Sequence, residues 1–296
     1  MSAIELYARK TAGFDERVAH AVAVLRSIAS EHPGAVVQAT SLGAEDMVLT
    51  DLIARHGLDI AVATLDTGAL HDETLALIPR IEQRYGLTVA RFKPRAEAAV
   101  QFVGQHGERA MYKNVDLRKA CCGLRKLEPL ARLLSHRSAW VTGLRREQSD
   151  QRAVVPFREI DVDGRLKLNP LADWSWADIW HYIGTHEVPY NPLHDQFFPS
   201  IGCAPCTRAI AVGEPFRAGR WWWENDGAKE CGLHLKPHSS GANAPDDARS
   251  AADCDDVSAQ AHIGVADVKA AEAAGRSQNE GAKECGLHVH AESALT

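Results

Sequence analysis

The 296-residue sequence has no run of about 18 apolar residues and no basic leader followed by an apolar stretch. Neither a membrane span nor a secretory signal is therefore indicated, and the expected compartment is cytoplasmic. A basic surplus is also missing. The formal net charge is −6, and it arises at one end: residues 237–296 hold ten Asp/Glu against four Lys/Arg, leaving 29 of each sign before them. A neutral body lacks the field that a general nucleic-acid face requires, yet it leaves room for a local basic pocket that holds a small anion. The same final segment has no Phe, Trp, Tyr or Met and fifteen Ala. Without large apolar side chains it cannot offset the entropy of ordering, so a disordered, acidic, Ala-rich C-terminal tail is expected beyond a boundary near Lys236, with a short helix over 265–275.

The remainder is 1–236, and with 45% hydrophobic residues in the whole chain it can bury a sizeable core. Short apolar, β-branched runs at 34–40, 59–66, 87–92 and 138–144 alternate with helical patterns, and this alternation predicts an α/β fold with a doubly wound, mostly parallel sheet. Ligands of such sheets bind beyond the carboxyl ends of the strands, which directs attention to the loops after Thr40, Leu65 and Thr142.

Each loop carries suitable residues. In SLGAED, Ser41 and Gly43 let backbone N–H groups and a helix N-terminus approach an anion, although a plain N-cap reads the same way. In LDTGALHDET, Asp66 and Thr67 suit a ribose or base and Gly68 a demanding backbone turn, while a capped turn is the simpler account. In TGLRREQSDQR, the guanidiniums of Arg145, Arg146 and Arg152 suit bidentate binding of phosphate or sulfate, although surface arginines are commonly just solvated. Together the loops suggest an anionic nucleotide. Residues 173–183 read as an Asp-capped amphipathic helix, hence scaffold, and Trp221 to Trp223 as packing rather than base stacking.

Seven cysteines are present, four of them as an adjacent pair, Cys121 and Cys122, and a CxxC pair, Cys203 and Cys206. In a reducing compartment such a set suits structural zinc or an iron–sulfur cluster. Adjacent side chains on a helix diverge by about 100°, which favours the separated corners of a four-iron cubane over one small ion. The octapeptide GAKECGLH occurs twice, at 227–234 and 281–288, around Cys231 and Cys285. The first copy follows an aromatic stretch able to dock, and the second follows GRSQNE.

In chain order SLGAEDMVL, LDTGALHDET, CCGLRKLEPL, TGLRREQS, NPLADWSWADIWHYI, VPYNPLHDQFFPSIGCAPCTR, RAGRWWWEN and KECGLH resemble the signatures of the assimilatory, thioredoxin-dependent adenylyl-sulfate (APS) reductases, over about residues 34–236. The resemblance implies an adenine-nucleotide α-hydrolase-like catalytic domain over 1–236. It implies that Cys121, Cys122, Cys203 and Cys206 ligate one [4Fe-4S] cluster. It implies that Cys231, with His234 nearby, attacks the sulfur of APS, releasing AMP and leaving an S-sulfocysteine that thioredoxin resolves to sulfite. Lys126, Arg217 and Arg220 are then partners of the phosphosulfate, and Ser41, Gly43, Asp66, Thr67 and Gly68 belong to the nucleotide pocket. A homo-oligomer stays open; a nucleic-acid or membrane partner is not expected. The alternatives are a 3'-phosphoadenylyl-sulfate (PAPS) reductase, which typically lacks the two cysteine pairs, and an ATP pyrophosphatase, which would show an SGG-x-DS loop where this chain has Ser41 to Asp46. A non-enzymatic iron–sulfur sensor would leave the arginines and KECGLH unexplained.

Overall fold

A computed structural model describes residues 1–224, so the expectations for Cys231, His234, both copies of GAKECGLH, the helix over 265–275 and the acidic tail lie outside the described residues. The chain opens with α1 (Ala3–Tyr7) and α2 (Phe14–Glu31). A capping box starts α1: the Ser2 hydroxyl accepts from the Glu5 N–H (3.2 Å) and the Glu5 carboxylate from the Ser2 N–H (2.6 Å). On α2, Ala21, Val22, Leu25 and Ile28 recur on one face and are buried.

Alternation then begins, with β1 (Val36–Thr40), α3 (Ala44–Arg55), β2 (Ala61–Leu65), α4 (Asp72–Tyr85) and β3 (Val89–Phe92). After α5 (Ala96–His106), α6 (Val115–Cys122) and α7 (Glu128–Leu134) the chain returns to the sheet as β4 (Ala139–Val141). A hairpin of β5 (Arg158–Ile160) and β6 (Leu166–Leu168) precedes α8 (Trp176–His186). The sheet order is β3-β2-β1-β4-β6-β5. All neighbours are parallel except β5 on β6. Val37 of β1 lies opposite Ala61 on one side and Trp140 on the other. The chain therefore winds outward from β1 in both directions, and the crevice between the carboxyl ends of β1 and β4 is the switch point where such sheets take their ligands.

Both sheet faces are covered, which is why neighbouring strand residues are apolar instead of alternating with polar ones. Val36, Val62, Val89 and Val141 meet the buried sides of α2, α3, α4 and α8, whereas Val37, Ala63 and Trp140 meet Leu130, Leu133 and Leu134 of α7. Asp51 ties three helices together, accepting from Tyr85 (2.9 Å) and Tyr182 (2.7 Å). The mostly parallel sheet and its first four strands agree with the sequence, while β5 and β6 have no counterpart there. The cap of α8 corrects the sequence reading: Ser175, not Asp173, is the N-cap, and its hydroxyl accepts from the Asp178 N–H (3.0 Å). Among the described residues no helix is long and apolar enough to cross a membrane.

Truncating a fully enclosed core side chain tests this packing. Leu25→Ala is expected to cost about 2–5 kcal/mol, read as a lower urea midpoint at an unchanged denaturant slope.

Candidate active site

The chain leaves β1 at Thr40 and turns into α3 through Ser41, Leu42 and Gly43. Leu42 holds a left-handed φ of 63°, a strained conformation offset by burial of its side chain in the core. Asp46, in the first turn of α3, fastens this turn. Its Oδ2 accepts from the Ser41 N–H (2.6 Å) and the Ser41 hydroxyl (2.6 Å), and its Oδ1 from the Gly143 N–H (3.1 Å) after β4. A Cβ at residue 143 would lie 2.6 Å from Asp46 Oδ1, so glycine is what lets the two loops meet. Burial pushes the Asp46 carboxyl up to about 6, with the Glu45 charge adding to the rise and the Ser41 and Gly143 donors opposing it.

Glu45 beside it is equally engaged. It accepts from Arg145 Nε (3.0 Å) and Nη2 (2.9 Å) and from Gln148 Nε2 (3.0 Å). Arg145 also donates to Glu147 (2.8 Å) and the Trp174 carbonyl (3.2 Å), with its guanidinium 5.4 Å from the Trp176 ring centre.

A cavity of about 190 Å³ opens over the carboxyl ends of β1, β2 and β4. Of the residues proposed from sequence, Ser41, Gly43, Thr67, Lys126, Arg152, Arg217 and Arg220 line it. Four others are not brought to that lining. Arg145 is consumed by Glu45 and Glu147, and Arg146 turns away to the Val155 carbonyl (3.0 Å) and the Phe157 ring. Asp66 accepts from the Gly68 N–H (3.2 Å) and pairs with Lys93 (3.4 Å). Gly68 supplies a φ of +68° at the turn, beside Arg125. The two serve the loop's shape. Arg220 reaches the cavity because Gly202 has no side chain, as a Cβ there would overlap the guanidinium. It donates to Ser200 (3.3 Å) and the Ile201 carbonyl (3.3 Å), and its buried Nε has no partner.

The four cysteines converge next to this cavity. Cys121 and Cys122 end α6, which runs on as a π-helical turn, Gly123–Leu127, that carries Arg125 and Lys126. Such turns recur at functional sites. Cys203 and Cys206 bracket a short turn held by backbone bonds, from Ala204 N–H to the Ala69 carbonyl (2.7 Å) and from Trp221 N–H to the Cys206 carbonyl (3.2 Å). Cys203 Sγ lies 3.2 Å from the Thr67 hydroxyl. All four thiols are buried and unbridged, form one cluster with Met111 and Trp221, and line a second cavity of about 490 Å³. Burial pushes the Cys206 thiol up to about 12, with Cys203 and Cys122 adding to the rise. Burial raises Cys121 as well, and Arg125 draws it back. The same cavity is walled by Arg118, Arg125 and Lys126. Among the described residues no three His, Cys, Asp or Glu side chains form a site for a metal ion.

Lys126 and Trp221 line both cavities and so form their common wall. Trp221 has a left-handed φ of 43°, and the Arg118 and Arg220 guanidinium carbons each lie 4.7 Å from its ring centre. Arg118 donates to both carboxylate oxygens of Glu224 (2.9 and 2.7 Å). Trp221 thus belongs to the site as well as to the packing, whereas Trp222 is partly exposed near Tyr112 and Trp223.

Sequence reading missed Glu45, Asp46, Arg118, Arg125 and His194. The two acids stand where any helix favours negative charge, so their type alone carried no signal. His194 lines the first cavity and is almost fully buried. Burial lowers its imidazole to about 4, while the Glu45 carboxylate and a hydrogen bond with the Phe198 backbone act in the opposite direction.

Comparison with known proteins follows this geometry. A family profile, the phosphoadenosine phosphosulfate reductase domain, matches residues 35–209. The adenosine 5'-phosphosulfate reductase of Allochromatium vinosum is 55% identical over 221 residues, 74% of this chain and 86% of that one. The adenosine 5'-phosphosulfate reductase of Burkholderia cepacia is 51% identical over 214 residues, 72% and 85% of the two chains. Among solved structures, the phosphoadenylyl-sulfate reductase of Candida auris in a phosphate complex superposes with a TM-score of 0.54 at 26% identity, over 69% of this chain and 100% of that one.

The placement of Arg145 has a measurable consequence. Arg145→Ala leaves the buried Glu45 carboxylate without its cation, and the expected loss is about 3–5 kcal/mol in urea denaturation. A normal midpoint with a raised KM would instead restore Arg145 to ligand binding.

Proposed function

This chain belongs to the phosphoadenosine phosphosulfate reductase family, and from that premise we propose the course of its reaction and the residues that carry it. It is an oxidoreductase acting on a sulfur group, which reduces APS in sulfate assimilation. The observation that supports the residue assignment is the common wall: the cavity at the switch point shares Lys126 and Trp221 with the cavity of four cysteines.

The nucleotide occupies the crevice over β1, β2 and β4, against Ser41, Gly43, Thr67 and Arg152. Its phosphosulfate meets Lys126, Arg217 and Arg220. Fixed positive charge there stabilises both the departing phosphate and the transferred sulfonate, and it acts without reorganisation at the moment of reaction. The Cys231 thiolate attacks the APS sulfur, the sulfur–oxygen bond to phosphate breaks, and AMP leaves with the electron pair. Cys231 now carries the sulfonate. A thioredoxin thiolate then attacks the Cys231 sulfur and sulfite departs, leaving a mixed disulfide; the second thioredoxin thiol attacks its own partner sulfur, frees the Cys231 thiolate and closes the thioredoxin disulfide that accounts for the two electrons. Lys229 and His234, its neighbours in sequence, are of the types suited to favouring the Cys231 thiolate.

The donor set around the second cavity fits a [4Fe-4S] cluster. Four buried thiols are costly to ionise alone, and the cations that wall the cavity are arranged to accept the net negative charge of a cluster bound by four thiolates. Cys121, Cys122, Cys203 and Cys206 would hold it. When bound, it would supply Lewis-acidic iron that holds the four thiolates together, with the net negative charge of the whole left to the surrounding cations. We place the catalytic domain at 1–236, treat 237–296 as dispensable, and assign the protein to the cytoplasm.

Three experiments test this reading. Lys126→Ala, Arg217→Ala and Arg220→Ala are each expected to lower sulfite release from APS by ~10- to 1000-fold, and wild-type rates in all three would remove those roles. Incubation with APS followed by peptide mass spectrometry is expected to place the sulfonate on Cys231. Cys231→Ser abolishes it, whereas Cys285→Ser or truncation after Lys236 leaves sulfite production nearly intact. Iron analysis of anaerobically prepared protein is expected to give about four irons per chain; one zinc and no iron would reject the cluster.

A further inference from the structure

An ion pair buried beside the thiols ties the wall between the two cavities to α6. Arg118 lies on that helix one turn before Cys121 and Cys122, and its guanidinium is hydrogen-bonded to the Cys122 side chain. It also donates to both carboxylate oxygens of Glu224 (2.9 and 2.7 Å) and lies over the Trp221 ring, 4.7 Å from its centre. The two side chains are 0% and 3% exposed, so solvent ions do not screen the pair. The turn it holds is strained. Trp221 has a φ of 43°, its N–H goes to the Cys206 carbonyl (3.2 Å), and its own carbonyl accepts from the Glu224 N–H (2.9 Å). A bulky residue stays in that region only where its surroundings over-determine it. Residues 221–224 are thus fastened to one cysteine pair through Cys206 and to the other through Arg118. A buried ion pair adds little net stability over apolar residues of the same size, but its geometry can specify one register.

The chain beyond this anchor bears the thiol assigned above as the nucleophile. Cys231 stands seven residues after Glu224, a reach of about 24 Å even for fully extended backbone. The second GAKECGLH supplies a comparison within the same molecule. Aligned on the octapeptide, Gly275 stands where the first copy has Trp221, and Gln278 where it has Glu224. The eight residues around Cys231 and Cys285 are identical, so nothing in them distinguishes the two thiols. The residues upstream do, since the first copy follows a tryptophan and a glutamate that both engage Arg118.

We propose that Arg118 and Glu224 are positioning residues for sulfonate transfer: their pair fixes the point and direction in which the Cys231 segment leaves the body, and the lack of a counterpart before Cys285 leaves the second copy idle. The proposal rests on the reading of Cys231 as the nucleophile. Neither residue lines the first cavity, so both act through Trp221 and through the chain beyond Glu224. Attack needs the thiolate within about 3.5 Å of the sulfur and in line with the departing oxygen, and a misplacement of about 1 Å lowers the rate by about 100-fold. A tether whose origin is fixed confines the thiol to far fewer orientations than one whose origin is released.

Two measurements on the full-length chain test it. In single turnover with APS, followed by peptide mass spectrometry, Glu224→Gln and Arg118→Lys are each expected to slow appearance of the sulfonate on Cys231 by about 10- to 100-fold. Glu224→Asp, which keeps the carboxylate, is expected to recover part of that loss. Iron per chain and the affinity for AMP, read by metal analysis and calorimetry, are expected to stay within about twofold of wild type, because neither residue is a cluster ligand or a nucleotide contact. The second measurement is alkylation of the substrate-free protein by iodoacetamide, which compares Cys231 with Cys285 in one molecule; their tryptic peptides differ after His234 and His288. The wild-type rates are expected to differ by about threefold or more, since thiol reactivity follows its surroundings, and Glu224→Gln to bring them toward equality. Equal wild-type rates, or normal sulfonate transfer in both charge-pair variants, overturn the proposal. So does a fall in transfer that merely follows lost iron, lowered melting temperature and weakened AMP together, which marks the pair as scaffold. A wild-type protein that carries the sulfonate on Cys285, or on neither thiol, fails the reading of Cys231 itself. If Arg118→Lys does not fold, Glu224→Gln decides alone.

Discussion

Positive charge buried beside four thiols is the constraint around which the site is arranged. A buried cation is tolerated only where an anion or several good acceptors answer it. Arg118 is answered by both oxygens of Glu224, and Arg145 by Glu45 and Glu147. Arg220 has a different environment. Among the described residues its hydrogen bonds go to neutral acceptors, a serine hydroxyl and a carbonyl, and its Nε has none. The fold thereby separates cations matched by carboxylates from one that, among the described residues, meets only neutral acceptors and the Trp221 ring. This separation explains why Arg145 serves stability although it follows the β4 strand end as closely as any binding residue.

The sequence made the alternation of strands and helices legible because β1 and β2 are covered on both faces and read as largely apolar runs, for instance Val36 and Val37 turned to opposite cores. It did not disclose β5 and β6, which are three residues each, with Arg158 and Ile160 exposed on an edge strand. Segments that short carry no period. The cysteine pairs and the loops at the strand ends were also legible, since residue type and loop position coincide there. What local pattern could not supply was pairing across the chain. Glu45 meets Arg145 at a separation of 100 residues, and Arg118 meets Glu224 at 106. The guanidiniums of TGLRREQSDQR look alike until those partners are known. His194 was hidden for a similar reason: its burial beside the Trp176 and Trp180 rings and Glu45 is set by packing across the chain.

The adjacent cysteines illustrate how a local distortion serves a distant need. Neighbouring side chains on a regular helix point about 100° apart. Here the helix ends at Cys122 and continues as a π-helical turn through Gly123 to Leu127, so the residues after the pair are displaced from their α-helical positions. Arg125 donates to the Thr67 carbonyl (2.7 Å), joining that turn to the loop after β2, whose Thr67 hydroxyl contacts Cys203. Both cysteine pairs are thus tied to a strand end of the sheet. The nucleotide crevice and the thiol cavity inherit one frame.

That shared frame decides which charges of the first cavity are already answered. Glu45 and Asp46 line it, but Glu45 is met by Arg145 and Gln148, and Asp46 by Ser41 and Gly143. Lys126 and Trp221 wall it from the four cysteines, and Arg220 lies with its guanidinium carbon 4.7 Å from the Trp221 ring centre. Since among the described residues Arg220 hydrogen-bonds only to a hydroxyl and a carbonyl, the carboxylates of the cavity are neutralised within the fold while the guanidinium at the shared wall is not.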